Sequence, residues 1–319
     1  MRGTRLRVPA IAALVLLLGV AGARAGQRRI DVGTGGFSFG PSSQTLNIND
    51  QVTWVGVGGS HTVTSGTGPS DPGVGSLFNA GISGTGQAFT WKADRTGSVD
   101  YFCSPHFSFG MTGQLQISAS GVAVSSFRIT EVQYNDASGH DRIEITNLGG
   151  DFGDLGRYRI AINGTSSAIV PLTSVGVVSG ATPGRVVVHT NEGTTGSTQT
   201  NLFMAIGDLS DVAGSVALYV PNTTSTLTDQ KQIVDFVQWG AGSQPNATTA
   251  VAANVWPSTG DFVPLVPVSG NYDIAFCGTE SQHDGSVRWS VAHPNFGTAS
   301  LCSTPTFTTT WGRIKQLYR

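Results

Sequence analysis

Within nine consecutive positions the chain places a thiol, an imidazole and a thioether: Cys103, His106 and Met111. They fill the gap between two alternating segments, Ser98-Val99-Asp100-Tyr101-Phe102 and Gly113-Gln114-Leu115-Gln116-Ile117. Alternation with a period of two marks strands that bury one face. The pattern therefore predicts a strand, a short loop and a second strand, with all three side chains delivered to one end. Pro105 stiffens the loop and Gly110 permits the bend before Met111. A second imidazole, His61, opens the run His61-Thr62-Val63-Thr64 and is placed to approach from a neighbouring strand.

Other short alternating runs surround this unit. They are Thr45 to Asn49, Gln51 to Trp54, and Gln87 to Trp91. The Gly-, Ser- and Pro-rich stretch 65–86 reads as a long loop. The chain has 43 glycines and only 12% charged residues, and no long helical period follows residue 25. Many short strands joined by turns predict an all-β protein built from sandwiches or barrels. Ser118-Ala119-Ser120-Gly121 reads as a linker. It separates a unit over 27–118 from a second over 125–302. The second unit has strands expected at 127–132, 141–147, 154–160, 185–189, 215–220 and 232–239, and no obvious helix.

A thiolate, two imidazoles and a thioether form a soft nitrogen-and-sulfur donor set, unlike the oxygen ligands of magnesium or calcium. Zinc fits by donor type. A methionine adds little for zinc, whereas it tunes the redox potential of copper.

Residues 37–118 resemble the plastocyanin and pseudoazurin family of small blue copper proteins, the cupredoxins. The text that carries the resemblance is Phe39-x-Pro41, Leu46-x-Ile48, Asp50-x-Val52-x-Trp54, His61-Thr62-Val63, Tyr101-x-Cys103-Ser104-Pro105-His106 and Met111-x-Gly113. The resemblance implies a Greek-key β-sandwich holding one type 1 copper ion on His61, Cys103, His106 and Met111. It also implies single-electron transfer to redox proteins that dock near His106, and no enzymatic turnover or small-molecule substrate. Two alternatives stay open: copper sequestration, and a structural or adhesive envelope role. Phe107 and Phe109 are expected to give the site an aromatic rim. The other histidines are scattered singly, so no second copper centre is expected.

The first 25 residues have the order of a secretion signal: Arg2, Arg5 and Arg7, then an apolar stretch from Ile11 to Val20, then Ala23-Arg24-Ala25. Its removal takes four arginines and leaves 14 basic against 20 acidic side chains, a formal charge of −6. With no basic patch, nucleic acid is not an expected partner. The location implied is periplasmic, extracellular or cell-surface, where disulfides persist. Of three cysteines, Cys277 and Cys302 could close a 26-residue loop, a bridge contributing roughly 3 kcal/mol by the loop-entropy model. Cys103 is then the single free thiol.

Residues 125–302 resemble the lamin-tail domain. The matching text is Ile129-x-Glu131-Val132, Ile143-Glu144-Ile145-x-Asn147, Leu155-x-x-Tyr158-x-Ile160 and Val234-Asp235-x-Val237-Gln238-Trp239-Gly240. This implies an immunoglobulin-like sandwich serving binding or scaffolding. Residues 303–319 read as a tail that either attaches the protein to the cell envelope or simply frays.

Overall fold

The computed structural model describes residues 25–298 apart from 123, 137, 152, 164–168, 172–176, 179–183, 194, 199, 222–226, 267–270 and 279–284. The expected leader, the tail 303–319 and Cys302 lie outside the described residues.

The N-terminal part contains strands β1 (Gln27–Val32), β2 (Phe39–Gly40), β3 (Ser43–Asn47), β4 (Gln51–Gly56), β5 (Ser60–Ser65), β6 (Asn79–Ser83), β7 (Ala88–Lys92), β8 (Gly97–Phe102) and β9 (Thr112–Ser118). They form two sheets, ordered β2-β1-β4-β7 and β3-β9-β8-β5-β6. The alternating residues meet between them. Ile30, Val52 and Trp54 from one sheet pack with Val63, Tyr101, Leu115 and Ile117 from the other, all buried. Trp54 forms the centre, edge-on to Tyr101 at 5.3 Å and stacked on Phe89 at 5.8 Å.

Three strands differ from what the sequence predicts. The stretch 65–86 is not one long loop, because β6 lies within it and pairs antiparallel with β5, His61 opposite Ile82. Its Gly and Ser residues hide the alternation, and only Ile82 of the strand is buried. Strands β1 and β2 also went unread. β1 runs parallel to β4 in an unbroken six-residue register, a pairing that leaves no local turn signal.

The C-terminal part contains β10 (Phe127–Gln133), β11 (Arg142–Asn147), β12 (Gly153–Asp154), β13 (Arg159–Ile162), β14 (Ile169–Pro171), β15 (Val177–Val178), β16 (Gly184–His189), β17 (Asn201–Phe203), β18 (Gly214–Tyr219), β19 (Ile233–Trp239), β20 (Asp273–Phe276) and β21 (Trp289–Ala292). A six-stranded sheet, β17-β16-β11-β10-β20-β21, and a four-stranded sheet, β14-β13-β18-β19, enclose one apolar core. The expected strands after residue 180 fall within a residue of β16, β18 and β19. A short helix, α1 (Ala247–Ala252), departs from the helix-free expectation. It is too brief to show an apolar period and packs on β19. No helix among the described residues is long and apolar enough to cross a membrane.

One face of the six-stranded sheet buries carboxyl groups. Glu131 and Asp273 face each other, and burial first, then this neighbour, pushes the Glu131 carboxyl far above the usual range. A carboxyl that holds its proton more tightly when folded loses stability as pH rises above its unfolded value. The C-terminal unit should therefore become less stable from about pH 5 upward through neutrality, and Glu131→Gln should flatten that slope in urea melts followed across pH. In the N-terminal sandwich, Trp54→Ala should cost about 3–5 kcal/mol, read as a lower urea midpoint.

Candidate metal centre

The metal-site candidates gather at one pole of the N-terminal sandwich. β8 ends at Phe102, and Cys103 follows it. A 3-10 helix, Ser104–Phe109, carries His106, with Pro105 in its first turn. Gly110 stops the helix in the left-handed region at φ 81°, a conformation that costs glycine nothing. Met111 then leads into β9. The loop closes on itself. Cys103 N–H donates to the Met111 carbonyl at 3.0 Å, His106 N–H to the Cys103 carbonyl at 3.1 Å, and Met111 N–H to the His106 carbonyl at 3.3 Å. The backbone thus fixes the spacing that the sequence pattern implied. His61 reaches the same pole from β5.

The result is a compact trio. His61 Nδ1 lies 3.1 Å from His106 Nδ1 and 3.8 Å from Cys103 Sγ, and Cys103 Sγ lies 3.3 Å from His106 Nδ1. A triangle with these sides has its centre about 2.0 Å from each corner, matching ordinary imidazole and nearly matching thiolate bond lengths to a transition metal. These three side chains are able to hold a metal ion. Met111, 1% exposed, packs in the same apolar cluster as Cys103. The donor set and its size therefore fit a His₂Cys site of the kind that copper occupies.

The surroundings favour ligation. Burial, and next the charge of His106, hold His61 below the ordinary imidazole value, while a hydrogen bond to the Gly58 backbone pulls the other way. Neutral imidazole is the ligating form. The Thr62 N–H points at Cys103 Sγ from 3.3 Å, and hydrogen bonding around a cysteine sulfur is one lever on redox potential. Two glycine turns wrap His61. A Cβ on Gly33 (φ 89°) would overlap the Gly58 carbonyl oxygen and lie 2.8 Å from His61 Nε2, and one on Gly59 (φ 70°) would lie 2.6 Å from the same atom.

The edge of the site that faces solvent belongs to His106. Phe37 stacks on its ring at 4.2 Å and 19°, and Phe109 lies 5.1 Å from Phe37. Phe37 is 49% and Phe109 68% exposed. The aromatic rim is thus built from Phe109 and Phe37, whereas Phe107 turns away to pack edge-on against Phe102 at 5.3 Å. Phe37 was not singled out in the sequence. It arrives from the turn between β1 and β2, and the only local hint is the glycine cluster Gly33-Thr34-Gly35-Gly36 before it. Cys103 is a free, buried thiol and Cys277 is disulfide-bonded.

A β-sandwich with a buried His₂Cys trio at one pole defines a class of small copper proteins. Residues 27–118 match the family described as copper binding proteins, plastocyanin/azurin family. Over these residues the chain is similar to plastocyanin-type cupredoxins, a family described as copper binding. Over 93 residues it is 29% identical to plastocyanin from Scenedesmus fuscus, covering 28% of this chain and 95% of that protein. Over 97 residues it is 28% identical to chloroplastic plastocyanin from Tetradesmus obliquus, covering 29% of this chain and 67% of the relative. Among solved structures, a mutant plastocyanin of fern aligns at 27% identity with a TM-score of 0.25, covering 28% of this chain and 99% of that one. A purple cupredoxin from Nitrosopumilus maritimus aligns at 20% identity with a TM-score of 0.25, over 28% of this chain and 99% of that one.

Gly33→Ala should leave the sandwich folded by circular dichroism but weaken metal affinity by about 10–100-fold, the usual effect of disturbing the shell around a ligand. Unchanged affinity in a competition titration would show that the glycine turns do not position His61.

Proposed function

We propose that this protein is an exported electron carrier whose single copper is held by His61, Cys103, His106 and Met111. The observation that carries the reading is the trio of donor atoms around a point about 2.0 Å from each, with Met111 buried beside them. When bound, copper supplies the one-electron couple. The residues of the chain do the rest. The sandwich holds the donors in place whichever oxidation state is present, so little rearrangement accompanies transfer. Cys103, Met111 and His61 are closed off from water, while His106 offers its edge to a partner.

Phe37 and Phe109 support a redox protein as that partner. An exposed apolar patch around the one accessible ligand suits brief docking, as weak electron-transfer encounters bury little area. Export is supported by the basic, apolar and small-residue order of the first 25 residues, and by the disulfide-bonded Cys277, since disulfides persist in oxidising compartments. Cys302 is the proposed partner of Cys277. The C-terminal unit is proposed as a lamin-tail-like binding module that attaches the carrier to the cell envelope. Its six- and four-stranded sheets around one core support that reading.

Copper titration of the protein, followed by visible absorption and electron paramagnetic resonance, tests the assignment. An intense thiolate-to-copper band with narrow hyperfine splitting is expected, and Cys103→Ser should abolish it. A colourless cupric complex overturns the reading. Met111→Leu should keep the colour and raise the reduction potential, because losing a weak donor destabilises the cupric form more than the cuprous. Phe109→Ala should leave spectrum and potential intact and slow only the bimolecular reaction with a redox partner.

A further inference from the structure

We propose that the C-terminal unit is locked to the copper domain, chiefly at the end remote from the metal, so that the two move as one body and the copper is carried in a fixed position rather than on a tether. This goes beyond the electron-carrier reading and does not depend on it.

The sequence reads 118–121 as a small polar linker, yet the chain is pinned as soon as it leaves that stretch. Asn47 bonds Val122 through both ends of its amide. Its Nδ2 donates to the Val122 carbonyl and its Oδ1 accepts the Val122 N–H, each at 2.9 Å. Gln27 N–H donates to the Ser125 carbonyl at 2.9 Å, and Ser125 Oγ returns a bond to the Gln27 carbonyl at 2.6 Å. Asp50 completes the clip by accepting the Gly26 N–H at 2.7 Å. A Cβ on Gly26 would overlap Val124, so the two segments lie in direct contact.

From this clip a relay of buried amides crosses into the second unit. Gln27 Oε1 accepts the Phe127 N–H at 3.1 Å, and its Nε2 lies 3.4 Å from Gln51 Oε1. Gln51 Nε2 donates in turn to the Lys231 carbonyl at 2.7 Å. Both glutamines are 3% exposed. Ion pairs flank the relay. Arg28 meets Asp151 at 2.5 Å, and Arg29 meets Asp154 at 2.8 Å and the Gly156 carbonyl at 3.1 Å. Val122, Ser125, Phe127, Asp151, Asp154 and Lys231 are therefore fastened mostly at one end of the β1–β4 pair.

That end is not the copper end. β1 and β4 pair from Gln27 opposite Gln51 to Val32 opposite Gly56. Gln27 and Gln51 belong to the junction, while Gly33, one residue past Val32, lies where a Cβ would meet His61. Arg157 of the second unit also reaches Gly86, which bonds Gly56 at the other end of β4, so the second unit extends along this sheet while leaving Phe37 and Phe109 49% and 68% exposed. A flexible linker would instead let the second unit fold over the aromatic rim.

Nitrogen-15 relaxation of the whole protein, with small-angle scattering on the same sample, tests the lock. One rotational correlation time for both units is expected, together with a scattering profile that one rigid arrangement fits. Two correlation times in the unaltered protein overturn the proposal, whatever its copper chemistry. Gln51→Ala combined with Arg28→Ala and Arg29→Ala should speed the tumbling of the copper domain and enlarge the radius of gyration, with the copper absorption band unchanged. Unchanged tumbling in that folded variant would also overturn the proposed contacts. If the variant does not fold, the measurement on the unaltered protein decides alone.

Discussion

The metal pole depends on one constraint: three donor atoms lie within 4 Å of one another on a hydrogen-bonded backbone loop and a neighbouring strand. The Cys103–His106–Met111 loop is hydrogen-bonded end to end, and the neighbouring strand supplies His61 already hemmed by glycine turns. Crowding two imidazoles and a thiol in this way is unfavourable in isolation, since protonated rings repel and buried polar groups lose water. The sandwich core meets that cost. Trp54, Tyr101 and Leu115 hold the strands that present the ligands, so the stability of the body and the geometry of the site are one problem.

The legible part of the site was the part local in sequence. Cys103, His106 and Met111 lie within one loop, and their spacing follows from a strand, a single helical turn and a glycine stop. His61 was legible because an imidazole opened an alternating run. The glycines that pack around His61, and the Thr62 N–H aimed at sulfur, were not. They act through backbone contacts between segments far apart in the chain, and nothing in a glycine's identity says what it leaves room for.

The fold followed the same division. Strands with strong alternation, such as β4, β8, β9 and β19, were readable from their own residues. β6 was not, because Gly81 and two polar ends dilute its pattern, and its identity comes from pairing with β5. The linker reading stopped where local composition stops informing. Ser118 to Gly121 is small and polar as expected, but Asn47 and Gln27, about 75–100 positions earlier, decide what the next residues do. The two expected phenylalanines of the rim were separated by packing. Phe102 gives Phe107 a buried ring to cover, while Phe109 meets Phe37 and His106 at the rim and stays 68% exposed.

The stacking of Phe37 on His106 links the rim to a turn that contributes no donor atom. Past Gly33, residues 34–38 complete a surface turn between two strands, where chain length and side chains change cheaply. Recognition of a partner can therefore drift independently of the redox centre. A lineage could lengthen this turn, or exchange its aromatic ring for a charged one, and so acquire a new electron donor or acceptor while the colour and potential of the copper stayed as inherited.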